Sequence, residues 1–184
     1  RRLMDNPEQT IAEEYAMATI LFSDFKGFTN LSESSTPQKL VRELNEVFAY
    51  FDGLCEKYKV EKIKTIGDAY MAVAGVPESS ETSPFDAVEM GLAMRDFIAE
   101  RLKNKDNLAL EIRIGIHSGP VIAGVLGRKK MIYDIWGDSV NIASRMESNG
   151  AAGKVNISES TYKLLKNRYK CESRGTVEIK GKGA

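Results

Sequence analysis

Two apolar stretches, residues 60–66 and 70–76, are parted only by residues 67–69, with Gly67-Asp68 as the turn, and this constrains the fold more than any other feature. A Gly-Asp pair between such runs is a hairpin turn, so two antiparallel neighbours are set. Residues 16–22, Ala-Met-Ala-Thr-Ile-Leu-Phe, form a short, partly β-branched run that suits a buried strand. Pro37 then opens a helix. In it Leu40, Val41, Leu44, Val47, Phe48, Phe51, Leu54 and Cys55 recur every three or four positions and make one apolar face. Beyond the hairpin, residues 85–102 have helical spacing and 108–117 alternate as a strand. Gly119-Pro120 punctuates the chain before a second strand at 121–126, and a third follows at 131–136. A helix capped by Asp138 runs to Met146. A strand at 154–157, a helix from Ser158 to about Asn167, and strands over 169–173 and 176–180 complete the chain. Strand, helix, strand, strand, helix, strand is the order of an α+β, ferredoxin-like βαββαβ core, here with a C-terminal α/β extension.

With 184 residues the chain fits one domain plus a short extension. Residues 1–16 are polar, contain Pro7 and read as the tail of an upstream connector; residues 17–184 form the domain. Lys+Arg and Asp+Glu both total 26, so nothing points to a nucleic-acid or other polyanion binder. Cys55 and Cys171 are isolated and His117 is the single histidine, which argues against structural zinc and for free thiols in a reducing compartment. No apolar run approaches the roughly 20 residues of a membrane-spanning helix. The start at Arg1-Arg2-Leu3 and the stop at Ala184, where a strand could be expected to follow, suggest a piece of something longer. The expected location is the cytoplasm, in a multidomain or membrane-anchored protein.

Asp24 ends the first strand and Asp68 tips the hairpin. In a βαββαβ sheet the first strand lies beside the hairpin's second, so the two carboxylates meet at one edge. Paired carboxylates are hard oxygen ligands for Mg²⁺ or Mn²⁺, with a polyphosphate completing the shell. Taken singly, each is more simply a turn aspartate. The segment Lys26-Gly27-Phe28-Thr29 strengthens the pairing, because it leads into a helix whose first N–H groups are open to phosphate oxygens. Gly27 would let that backbone approach closely.

Residues 21–29, Leu-Phe-Ser-Asp-Phe-Lys-Gly-Phe-Thr, resemble the first metal-binding segment of class III adenylyl and guanylyl cyclases. Residues 62–72, containing Ile66-Gly67-Asp68-Ala69, are similar to the second, and 113–119 to a third. The longest match is 133–146, Tyr-Asp-Ile-Trp-Gly-Asp-Ser-Val-Asn-Ile-Ala-Ser-Arg-Met. The resemblance covers about residues 17 to 183 in family order. It implies a class III cyclase fold in which two Mg²⁺ or Mn²⁺ per site are held by Asp24, Asp68 and the Phe25 carbonyl. Gly27, Phe28 and Thr29 then face the triphosphate. Asn141 and Arg145, four apart on one helix face, match the ribose-orienting asparagine and the transition-state arginine. Arg113 and Lys180 match residues that hold the β- and γ-phosphates.

By the same resemblance Lys64 and Asp134 take the purine-selecting positions. Adenine N1 accepts a hydrogen bond and its 6-amine donates one, which suits lysine and aspartate in turn. Guanine reverses both groups, and such mismatches allow rejection by roughly 10⁴-fold. Guanylyl cyclases typically carry glutamate and a small residue such as cysteine at these positions. The family builds each site from two protomers, and both half-sets are present in this one chain. The expectation is therefore a head-to-tail homodimer that converts ATP to 3′,5′-cyclic AMP and pyrophosphate, driven by an upstream sensor or membrane module. A diguanylate cyclase is argued against by the hairpin, which lacks a Gly-Gly-Asp-Glu-Phe type turn. A non-catalytic partner is argued against by the complete set of polar groups. His117 is read as packed.

Overall fold

The computed structural model describes residues 12–176. It is built from β1 (Ala12–Lys26), α1 (Phe28–Ser34), α2 (Pro37–Tyr58), β2 (Val60–Ile66), β3 (Ala69–Ala74), α3 (Ser83–Arg101), β4 (Glu111–Leu126), β5 (Ile132–Trp136), α4 (Asp138–Ser148), β6 (Lys154–Ile157) and α5 (Glu159–Leu164). The sheet runs β2-β3-β1-β4-β5, with β6 parallel to β4 and the other pairings antiparallel. Its β2-β3-β1-β4 portion is the α+β, ferredoxin-like order expected from the sequence, and the first strand does lie beside the hairpin's second.

Local chemistry explains the first helices and the hairpin. Thr36 caps α2, its hydroxyl accepting from the Lys39 amide at 3.2 Å, with Pro37 in the first turn. The helix buries Val47, Phe51, Leu54 and Cys55 against one sheet face. Phe51 meets Tyr70 of β3 edge-on at 5.4 Å between ring centres. Met90, Met94 and Ile98 of α3 complete that core with Leu21, Ile112 and Ile114. Gly67, at φ 59°, makes the hairpin turn.

Among the described residues no pair of helices covers the opposite sheet face, where α4 is the helix in the core. Ile20, Met71 and Val73 pack there against Val121 and Ala123 of β4, Ile135 of β5 and Ala143 of α4. This works because β4 does not end at Gly119-Pro120, where the sequence suggested two strands. It is one strand of 16 residues. Its register against β1 shifts between Tyr15 and Ala18, opposite Gly119 and Val121, and Pro120 sits at that irregularity. A bulge accepts a proline that an unbroken ladder would not. Beyond it, the β4–β5 hairpin continues the sheet, and β5 comes into contact with β2.

Three further expectations change. β1 starts at Ala12, paired with Gly124, inside the stretch read as connector; residues 1–11 lie outside the described residues. Gly137, at φ 131°, is the cap of α4, and Asp138 falls in its first turn, where an acid suits the helix dipole. Residues 169–173 form no strand. Lys166 and Asn167 take positive φ and end α5 early, and side-chain bonds then fasten the chain: Tyr169 Oη donates to Glu89 at 2.5 Å and Arg174 to the Asn149 carbonyl at 2.6 Å. The strand expected at 176–180 falls almost wholly outside the described residues. Among those described, no helix is long and apolar enough to cross a membrane.

Candidate active site

Asp24 stands directly opposite Arg113 in the β1–β4 register. Directly paired residues share a sheet face, so the guanidinium can grip the carboxylate with two donors. Nε donates to Oδ1 at 3.1 Å and Nη2 to Oδ2 at 2.9 Å. Asp68, from the hairpin turn, reaches the same strand end: its Oδ2 accepts from the Phe25 amide at 3.0 Å. Asp68 is thus tied to the β1 residue next to Asp24, which brings the two loop-end aspartates to one strand end. Gly27, at φ 73°, caps α1, and Phe28 and Thr29 open it. The first N–H groups of a helix have no carbonyl four residues back, so the turn presents donors beside Asp24 as anticipated. Lys180 lies outside the described residues.

The helix α4 supplies the next layer. Asn141 and Arg145 are both exposed and one turn apart, and the Arg145 guanidinium has no ion-pair partner among the described residues. What brings α4 so close to the sheet is Gly115 of β4. A Cβ there would collide with the backbone of Met146 and Glu147.

That contact also seats Glu147, which sequence reasoning missed. It is 8% exposed, and its Oε1 lies 3.3 Å from Arg113 Nε. That oxygen receives no hydrogen bond, because the N–H concerned already points at Asp24. Burial first, then Asp24 as hydrogen-bond partner and as charge, push the Glu147 carboxyl up to about 8. A signal was available: Ser139, Ala143 and Glu147 share the buried stripe of α4 at four-residue steps. An acid on an inward stripe needs a partner.

Lys64 and Asp134 come together where β2 meets β5. The contact between β2 and β5 brings Lys64 Nζ to 2.7 Å from Asp134 Oδ2. Asp134 Oδ1 accepts from the Ile135 amide at 2.8 Å, which fixes the carboxylate. The lysine side chain is 39% exposed and the aspartate 14%, so the pair opens to solvent on the lysine side. No hydrogen bond or ion pair among the described residues joins it to the Asp24–Arg113 cluster. His117 is packed as read, its Nδ1 2.6 Å from Ser158 Oγ.

A family model for the adenylate and guanylate cyclase catalytic domain matches residues 10–184. The chain belongs to that family, the class III nucleotide cyclases. This cyclase domain is 44% identical over 178 residues to the receptor-type guanylate cyclase gcy-28 of Caenorhabditis elegans, covering 94% of this chain and 14% of that protein. It is 38% identical over 182 residues to an adenylate cyclase of Mycobacterium tuberculosis, covering 99% of this chain and 41% of the relative. The catalytic core of a rhodopsin-guanylyl cyclase with converted specificity, in complex with ATPαS, matches it with a TM-score of 0.89 at 39% identity, covering 95% of each chain. The chain thus spans well under half the length of these curated relatives, and they include both nucleotide specificities.

The cyclase's carboxylates fit the divalent cations that such domains generally use. Asp24 and Glu147 lie against a single guanidinium, and Asp68 is held at the same strand end, so acidic oxygens outnumber the cation there. Among the described residues no three His, Cys, Asp or Glu side chains form a closed metal cage.

Proposed function

We propose that this domain is an adenylyl cyclase that converts ATP to 3′,5′-cyclic AMP and pyrophosphate at the interface of a head-to-tail homodimer. The observation that carries the reading is the Lys64–Asp134 pair at 2.7 Å. It sets a donor, which suits adenine N1, beside an acceptor, which suits the 6-amine, and the ligand-free pair keeps both groups satisfied. Inserting guanine would face the ammonium with an N–H and the carboxylate with a carbonyl, leaving both unpaired. Overall identity is higher to the guanylate cyclase relative than to the adenylate cyclase. Base choice, however, is made by the few side chains that touch the base edge, and a guanylyl cyclase core of converted specificity that holds ATPαS supports that view.

Asp24, Asp68 and the Phe25 carbonyl would hold two Mg²⁺ or Mn²⁺. A divalent cation there lowers the pKa of the ribose 3′-hydroxyl and neutralises phosphate charge. The protein's own groups do the rest. Asn141 orients the ribose so that its 3′-oxygen lies in line with the α-phosphorus. The 3′-hydroxyl gives up its proton, to Asp24 or to a phosphate oxygen of the substrate, and its oxygen bonds to phosphorus as the bond to the α,β-bridging oxygen breaks and pyrophosphate leaves. Arg145, exposed and without an ion-pair partner among the described residues, is available to neutralise charge on the α-phosphate. Gly27, Phe28 and Thr29 offer backbone donors, and Arg113 with Lys180 holds the terminal phosphates.

Two features support the dimer. The base-reading pair and the metal-side cluster occupy separate parts of one chain. The β4–β5 hairpin also exposes apolar side chains that a monomer has no reason to show, Leu126 at 56% and Ile132 at 48% among them. In the full-length protein the domain would be a cytoplasmic module under an upstream sensor or membrane segment.

The test is turnover of purified protein with Mn²⁺ or Mg²⁺ on ATP and GTP. Cyclic AMP is expected as the main product, and cyclic GMP in excess would sink the reading. Lys64→Glu with Asp134→Cys is expected to weaken ATP use and admit GTP; an unchanged preference means other residues choose the base. Asp24→Ala is expected to abolish turnover with the dimer intact by sedimentation.

A further inference from the structure

Arg113 is claimed by two carboxylates, and only one receives its hydrogen bonds. Nε and Nη2 donate to Asp24, at 3.1 and 2.9 Å. Glu147 Oε1, 3.3 Å from the same Nε, has ion-pair distance without a hydrogen bond and no other donor among the described residues. A buried acceptor left this way carries an energetic cost, so its placement calls for a reason. The placement is also rigid. Gly115 lies two residues along β4 from Arg113, on the same face, and the backbone of Glu147 rests directly on it. The next residue contributes as well, with the Ser148 carbonyl 3.5 Å from Nη1. The last turn of α4 is therefore a fixed cradle on one side of the guanidinium, and Asp24 is the other side.

The geometry points to Glu147 as a positioning residue for Arg113, the acceptor that takes its Nε–H when Asp24 is drawn to a cation. This rests on the site reading above, in which Asp24 binds metal and Arg113 binds the terminal phosphates. With Asp24 gone from the fork, Nε–H has an oxygen already at 3.3 Å. The guanidinium stays in place, with Nη1 on the Ser148 carbonyl, and Nη2 is released toward phosphate. Without Glu147, Arg113 either keeps its fork on Asp24 and competes with the cation, or turns away from the site. Both weaken the metal–triphosphate complex, and both act through Arg113. That separates the role from direct ligation by Glu147 and from a general effect of one more negative charge.

Binding decides it, without turnover. The affinity for α,β-methylene-ATP with Mn²⁺ is measured by calorimetry for wild type, Glu147→Leu, Arg113→Met and the double variant. Glu147→Leu is expected to weaken binding about tenfold, the worth of a hydrogen bond to a charged group. On the Arg113→Met background the same change is expected to matter less than about twofold, the usual limit of additivity. Glu147→Gln keeps the shape and an acceptor, so its loss is expected to be smaller and again confined to proteins with Arg113; it carries the test if the leucine variant does not fold. Equal loss on both backgrounds overturns the inference, because Glu147 then acts on the cation directly. A wild type that binds, alongside a Glu147→Leu variant that binds as well, overturns this inference alone. A wild type that does not bind the analogue overturns the site reading and this inference with it.

Discussion

Replacing Gly115 with alanine tests whether the packing of α4 against β4 sets the chemistry as well as the stability. The added Cβ would lie 2.5 Å from Glu147 Cα and from the Met146 carbonyl carbon. Ordinary carbon–carbon contact is about 3.5–4.0 Å, so relief needs about 1 Å of movement. The obstructing atoms are backbone, so no side chain can swing away, and α4 must retreat as a body. Overpacking of this kind costs about 1–3 kcal/mol. The same helix carries Asn141 and Arg145, and misplacing such groups by about 1 Å costs on the order of 10²-fold in rate. Gly115→Ala is therefore expected to lower the urea midpoint and to cut turnover of ATP with Mn²⁺ about a hundredfold under conditions where the protein is still folded. Gly53→Ala is the control: its Cβ would meet nothing within 4 Å on α2, so a small gain in stability and unchanged turnover are expected. A Gly115→Ala protein that loses stability but turns over within about threefold of wild type would refute the link between helix position and catalysis. Unchanged stability would refute the packing itself.

Two further outcomes follow from buried acids. The Glu147 carboxyl, raised to about 8 in the folded protein from an ordinary 4.5, keeps a proton that the unfolded chain releases, so its contribution to stability is complete below the unfolded value and is lost as pH rises through about 8. Glu147→Gln mimics the neutral acid and escapes that loss; its stability relative to wild type, without metal, should climb with pH by up to about 1.4 kcal/mol per unit across that window, and a flat difference in chemical denaturation would contradict it. Arg101 Nη2 donates to Glu43 at 2.8 Å, and that glutamate is 3% exposed and also accepts from the Leu108 amide. Arg101→Met should cost about 3–5 kcal/mol by stranding a buried charge, and adding Glu43→Gln should recover part of it; full stability in the single variant would mean Glu43 is not charged.

Much of the site was legible because its signals are short-range. Gly67-Asp68 between two apolar runs makes a hairpin wherever it occurs, and a strand-end Asp24 followed by a glycine turn needs no distant partner to be recognised. The order of helices and strands then brought the two aspartates to one sheet edge. Glu147 was passed over because its partner, Arg113, is 34 residues earlier in the chain and meets it only across the α4–β4 contact. Residues 169–173 were misjudged for a related reason. Their composition permits a strand, but a strand needs a ladder to join, and here Tyr169 and Arg174 bind through side chains to α3 and to the end of α4.

By itself the sequence determined the α+β order, the hairpin, the amphipathic face of α2 and the family, since each depends on patterns within a few turns of chain or on contiguous motifs. Tertiary structure alone decided that β4 passes through Gly119-Pro120 unbroken, because a proline's effect on a strand depends on whether a bulge lies opposite. It alone placed β5 against β2 and so brought Lys64 to Asp134, 70 residues away. It also seated a buried glutamate against Arg113, because a glycine on the facing strand let the helix backbone come close. Those three outcomes rest on contacts between segments distant in the chain, where no local pattern carries the distance.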